Sequence, residues 1–251
     1  MKHAKHHSLN GLRPSVIPIE VLLVCLALTG TIASACTQGA GEGSVSSDKL
    51  FVRDCWNGEF NLQPTFFGAN PLSQDVMAIR VQRGDDNQEV SDGLSVMVND
   101  VQEIRNSIRN SGSSVSVDVG LPPGVSPPGM PLRLNPNPPS ISLALYLHDS
   151  CHIQNGAIYS IGSNITGGTT TDDAGTGPGA SNTITFDNLF SGNPNETNSD
   201  SRLTYAHFDD IAFADPRDMS SDYTFKKEVT SHVKGWFKFY FQRGQPAQPF
   251  P

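Results

Sequence analysis

Apolar and polar residues trade places with a period of two in segment after segment of this chain. Ile79 and Val81 alternate with Arg80 and Gln82, Leu94, Val96 and Val98 with Ser95 and Asn99, and Val115, Val117 and Val119 with Ser116 and Asp118. Ile141, Leu143, Leu145 and Leu147 interleave with Ser142, Ala144, Tyr146 and His148, and Ile184 and Phe186 lie between Thr183, Thr185 and Asp187. Near the C-terminus Phe237, Phe239 and Phe241 alternate with Trp236, Lys238 and Tyr240. A strand turns successive side chains to opposite faces, so each segment reads as a half-buried antiparallel strand. The segments are short and separated by Gly, Pro, Asn and Asp. That predicts a mainly β chain, an antiparallel β-sandwich or open barrel. One stretch departs from the period. Val101, Ile104 and Ile108 recur at helical spacing behind an Asp100-x-x-Glu103 capping box, with Gly112 placed to end the turn. A short helix is predicted near 101–110, laying one apolar stripe on a sheet.

The breaks are informative too. Residues 121–139 hold eight prolines and should form an extended surface crossover. Residues 162–182, rich in Gly, Thr and Asp and poor in apolar side chains, read as a mobile loop, and residues 192–201 as a third polar loop. Residues 51–251 are expected to form one sandwich-like domain.

The N-terminus follows a different logic. Lys2, Lys5 and Arg13 precede an apolar run densest over residues 21–28, and small residues close it at Thr31-Ile-Ala-Ser-Ala35. Charge, apolar core and small residues in that order predict a secretory signal peptide over 1–35. The competing reading is a transmembrane anchor. Pro18 and Glu20 leave a clean run of only about 15 residues, short of the roughly 20 a spanning helix needs. The stretch Ile32-Ala-Ser-Ala-Cys36 resembles the lipobox of bacterial lipoproteins, with Ala33, Ser34 and Ala35 before the cysteine; Ala33 stands where that family usually has Leu, Val or Ile. The resemblance implies lipidation of Cys36 and an exported, membrane-anchored protein. Thr37 stands where an Asp would hold an enterobacterial lipoprotein in the inner membrane, which points to the outer membrane, facing periplasm or cell surface. Ordinary cleavage after Ala35 would instead release a soluble protein beginning at Cys36. Residues 36–50, rich in Gly and Ser, read as a flexible tether.

Four cysteines fit this picture. Cys25 would leave with the signal peptide and Cys36 would carry lipid, so Cys55 and Cys151 remain as one expected disulfide; two buried thiols are the alternative. The chain is 37% hydrophobic and 17% charged, which excludes a coiled coil and a highly charged disordered chain. Its net charge of −8 becomes −10 once three bases and one acid leave with the leader, a poor footprint for nucleic acid.

Candidate chemistry is sparse. His148-Asp-Ser-Cys-His152 gathers metal-ligand types, but the approach to it alternates as a strand, and there the two imidazoles would lie about 13 Å apart. A serine-hydrolase elbow is missing from the sequence, and Gly175-Thr-Gly-Pro-Gly179 has no periodic helix behind it to hold a phosphate. Asp209, Asp210 and Asp215 flank Ile211 and Phe213 as strand residues, some facing solvent. Asp172-Asp173 and the 193–200 loop supply oxygen ligands without EF-hand spacing. No catalytic, cofactor-binding or metal-binding residue is therefore assigned. Trp236 and Tyr240 are expected in a core covered on both faces; exposed, they would stack on sugar rings or anchor a partner. The expected function is a lipid-anchored binding or structural module of the cell envelope, with a protein or glycan partner. An exported hydrolase of glycan or peptide needs His148, His207 or Asp209 in one cleft, and a carbohydrate-binding module needs Trp236 and Tyr240 exposed.

Overall fold

A computed structural model describes residues 41–84, 91–131, 138–151, 157–166 and 182–242. The signal peptide, Cys36, His152 and most of the 162–182 loop lie outside the described residues. The described residues belong to one compact unit, and no helix among them is long and apolar enough to cross a membrane.

The chain is mainly β. Its strands run β1 Gly41–Val52, β2 Trp56–Leu62, β3 Phe66–Pro71, β4 Met77–Gln82, β5 Gly93–Val98, β6 Val115–Gly120, β7 Ile141–Tyr146, β8 Ala157–Ser160, β9 Ile165–Thr166, β10 Thr183–Asn188, β11 Leu203–Ala214, β12 Phe225–Lys226 and β13 Thr230–Tyr240, with one helix, α1, at Val101–Ser111. Eleven strands form a single sheet in the order β2-β1-β13-β11-β10-β6-β7-β5-β4-β3, and β8 bridges β11 and β7. Every pairing in it is antiparallel except β6 with β7. β9 and β12 make a separate two-stranded parallel ribbon. Parallel neighbours need a long crossover, and residues 121–140 between β6 and β7 supply it. Leu121 and Val125 of that crossover pack on a second apolar cluster with Ile161, Ala212, Ala214, Met219 and Phe225.

The two end strands of the sheet, β2 and β3, are consecutive in sequence and joined through residues 63–65. The sheet must therefore fold over on itself. Its inner faces meet in one core, where Phe67 of β3 stacks on Phe239 of β13 at 5.9 Å. Burial of Phe186, Phe190, Phe213, Phe237 and Phe239 supplies the largest apolar contributions. Gly235 is required by this packing. A Cβ there would lie 2.9 Å from Cζ of Phe208 and 2.7 Å from the Ser44 carbonyl oxygen.

Two bulges keep the long strands amphipathic. In β1 the register shifts between Ser47 and Leu50, and in β11 between Phe208 and Ile211. Val45 and Leu50, or Phe208 and Ile211, thereby both face inward although their spacing breaks the period of two. The bulge residues Asp48 and Asp210 turn toward β13, where Lys234 Nζ lies 3.0 Å from Asp48 Oδ1 and His232 Nδ1 2.5 Å from Asp210 Oδ1.

The structure corrects two readings of the sequence. Residues 41–50, read as tether, form most of β1 and are paired on both sides by β2 and β13. Their Ser and Gly positions mimic a linker, while Val45 and Leu50 are fully buried. The helix occupies Val101–Ser111 and ends at Gly112 in the left-handed conformation (φ 63°), as its sequence suggests. Asp100, however, makes no side-chain cap; its backbone carbonyl receives the Ile104 N–H.

Candidate binding face

The outer surface of β1, β13, β11, β10 and β6 carries a registered field of polar and aromatic side chains. Ser44 pairs with Trp236, Trp236 with His207, His207 with Thr185, and Thr185 with Ser116, so one straight row crosses five strands. At the usual spacing between strands the row spans about 19 Å. A second row places Glu42, Lys238 and Tyr205 side by side. Tyr240 stands four residues beyond Trp236 on the same face of β13, about 13 Å along the strand. Burial alternates strictly here: Phe237 and Phe239 turn inward, while Trp236 is 37% and Tyr240 43% exposed. The expectation that both rings belong to a covered core is thus wrong. Period two assigns the rings to a face opposite the Phe residues, but it cannot say whether anything lies over that face.

The polar groups on this field are already oriented. His207 Nδ1 lies 3.2 Å from Asp187 Oδ2, and the Ser116 and Thr185 hydroxyls lie 2.8 Å apart. Gln63 donates to Ser44 Oγ and to Asn61 Oδ1. Lys238 Nζ sits 5.6 Å from the centre of the Tyr205 ring, a cation–π contact. The result is an open surface with aromatic faces for apolar contact and hydroxyl, imidazole, amide and carboxylate groups for directional hydrogen bonds.

Other candidate residues are dispersed. Cys55 and Cys151 form a disulfide with Cα atoms 5.5 Å apart. His148 stacks on Tyr146 at 5.5 Å, beside Arg80, on a different part of the sheet from His207. Asp209 is exposed in the β11 bulge. The structure does not bring His148, His207 and Asp209 into one cleft. Among the described residues no three His, Cys, Asp or Glu side chains are placed to hold a metal ion.

Burial pushes the His148 imidazole below its ordinary value of 6.5, and the Arg80 charge adds to the push against Asp92 and Asp149. Below pH 6.5 the unfolded chain therefore takes up a proton that the folded chain still refuses. The stability tied to neutral His148 is complete above pH 6.5 and is lost as pH falls toward the folded-state value. In His148→Gln, the fall in melting temperature between pH 7.5 and pH 5 should be shallower than in the parent. An unchanged slope would contradict the assignment.

Sequence reading missed the charged clamp beneath the β1–β2 turn. Asp215, 2% exposed, accepts the backbone N–H groups of Arg53 and Arg217 and the Nε and Nη2 of Arg217. Arg53 in turn pairs with Asp218 at 2.6 Å, and each arginine donates to the other's carbonyl. Asp215 raises the Arg217 pKa further. Asp215-Pro216-Arg217 is a local cue for the turn, but its partner Arg53 lies 162 residues away.

No known protein family, curated protein or solved structure matches this chain.

Proposed function

We propose that this chain is an exported binding module of the bacterial cell envelope, held to the membrane by a lipid on Cys36, and that the face around Trp236 binds glycan. The observation that carries the binding reading is the exposure of Trp236 and Tyr240 in a registered polar field. A pyranose ring offers apolar C–H faces and a rim of hydroxyls. Stacking on an indole or phenol ring removes the former from water, while groups such as Ser44, His207 and Glu42 bond the latter. A sheet face whose aromatic side chains are exposed suits a surface or chain of sugars rather than an enclosed small molecule.

The lipid anchor rests on the signal-peptide pattern and the lipobox-like residues before Cys36. The Cys55–Cys151 disulfide is compatible with an oxidising compartment. Anchorage at Cys36, five positions before β1 at Gly41, would keep the module near the membrane surface. The intact mass of the protein from native membranes should show loss of residues 1–35 and acyl chains on Cys36. A mass retaining residues 1–35 would contradict the anchor.

For the binding face, Trp236→Ala should weaken retention on insoluble envelope glycan by about tenfold or more, with Tyr240→Ala following the same direction. Thermal stability should change little, because both side chains are exposed. Equal retention of parent and variants would remove the assignment.

A further inference from the structure

Among the described residues a strand position is left unfilled at the edge of β6. This strand pairs with β10 at Val115, Ser116, Val117 and Asp118, yet meets β7 only through Val119 and Gly120. Val119 N donates to Asn182 O on the β10 side. Main-chain groups alternate sides along an antiparallel ladder. Those of Val117 and Val115 therefore also face β10, and those of Ser116 and Asp118 face away from it. The parallel bridge of Val119 to Ile141 engages the Asp118 carbonyl and the Gly120 N–H, and among the described residues no strand pairs with the Asp118 N–H or with either main-chain group of Ser116.

The cause is local. Pro138 and Pro139 precede β7 and have no N–H to offer a ladder. Asn99 takes the chain in another direction, its N–H donating to Ser140 O at 2.8 Å and its Nδ2 to Pro139 O at 2.7 Å. The gap left behind is a groove of about 420 Å³. All six consecutive residues of β6 line one wall. Since consecutive residues alternate faces, that wall is the strand's edge and not one of its surfaces. The other wall is a single stripe of α1, made of Asp100, Glu103, Ile104 and Ser107.

We propose that this edge receives an extended, basic peptide segment of a partner protein as an added β-strand. Ser116 supplies a main-chain donor and acceptor and Asp118 a donor, the contact that gives strand addition its affinity. Ile104, Val115 and Val117 offer an apolar floor to alternate side chains of the incoming strand. Charge selects the partner. Asp100, Glu103 and Asp118 line the groove and no Lys, Arg or His does, so lysines or arginines at the remaining positions meet carboxylates. A second copy of the same edge would bring acids against acids. The open edge from Val115 to Asp118, residues that pair with β10 on their other side, is about 10 Å long, enough for three or four residues of partner.

The test uses the full mature chain and three capped heptapeptides: Thr-Lys-Val-Lys-Val-Lys-Thr, its Glu counterpart, and the Lys peptide N-methylated at alternate amides. The Lys peptide should bind and slow amide hydrogen exchange at Ser116 and Asp118. N-methylation should weaken it about tenfold or more, because the added ladder is lost. The double variant Glu103→Lys/Asp118→Lys, at two exposed positions, should lose a similar factor for the Lys peptide and gain affinity for the Glu peptide. Failure of the Lys peptide to bind would overturn the proposal. So would binding indifferent to N-methylation, which would mean charge attraction alone. Protection of Ser116 and Asp118 without peptide would overturn it as well. Protection that grows with protein concentration would then identify a second copy, and constant protection a segment of this chain.

Discussion

Removal of the Cys55–Cys151 disulfide is expected to destabilise the protein by about 2–5 kcal/mol, and the urea midpoint with and without reductant measures it. The bond joins residues 96 apart in sequence, so it removes much loop freedom from the unfolded chain. It also has a native role in position. Cys55 lies in the turn between β1 and β2, and Cys151 follows β7, whose strand sits far from β1 in the order of the sheet. The segment before Cys151 is fixed independently. Asp92, fully buried, accepts the N–H groups of Asp149 and Ser150 and the Ser150 hydroxyl. The bridge therefore ties a turn at one end of the sheet to a preordered anchor near its middle. Cys55→Ala/Cys151→Ala should shift the midpoint in the same direction as reduction. A midpoint that does not move would mean that the folded chain holds the turn without the bond.

Asp215→Ala should cost about 2–4 kcal/mol in the same measurement. The carboxylate is buried and serves two backbone N–H groups as well as the Arg217 guanidinium. Truncation leaves those donors without their acceptor, and the loss of a buried acceptor from charged and backbone donors is the expensive case. Arg217 is partly exposed and recovers some hydration, which keeps the cost below that of a fully buried pair. Both changes loosen the turn at residues 53–55, so the triple variant should lose less than the two separate effects combined. Strict additivity would show that clamp and disulfide hold different parts of the chain.

Much of the architecture was legible because side-chain direction in a strand follows sequence with a period of two. β4, β5, β6, β7, β10 and β13 all lie on segments whose alternation is visible, and the single helix lies where Val101, Ile104 and Ile108 place it. β1 was not legible and β11 only in its second half, around Ile211 and Phe213, and the reason is their bulges. An extra residue at Asp48–Lys49 or Asp209–Asp210 shifts the period halfway, so each strand reads as two unrelated fragments. The outward residues of β1, Ser44, Ser46 and Glu42, then resemble a linker. Parallel pairing of β6 and β7 was equally hidden, since alternation carries no strand direction; only the length and proline content of residues 121–139 hinted at a crossover.

The candidate face was half legible. Alternation separated Trp236 and Tyr240 from the Phe residues, but their neighbours His207, Tyr205, Thr185 and Ser116 come from strands 29–120 positions away in sequence, and registers set those pairings. The clamp around Asp215 and the open edge of β6 depend on tertiary placement in the same way. A proline before a strand is visible in sequence; the open strand edge it leaves beside a helix is not.

The central claim is that the face around Trp236 binds glycan, and the indole itself can report it. The chain has two tryptophans. Trp56 is partly buried and packs edge-on against Phe60 at 6.0 Å, so Trp56→Phe leaves Trp236 as the only indole in the fluorescence signal. Titration of that variant with soluble peptidoglycan fragments and with the polysaccharide portion of lipopolysaccharide should give a saturable change in Trp236 emission for one of them, weakened in the Tyr240→Ala background. A folded protein whose Trp236 emission stays constant with both glycans would contradict the account.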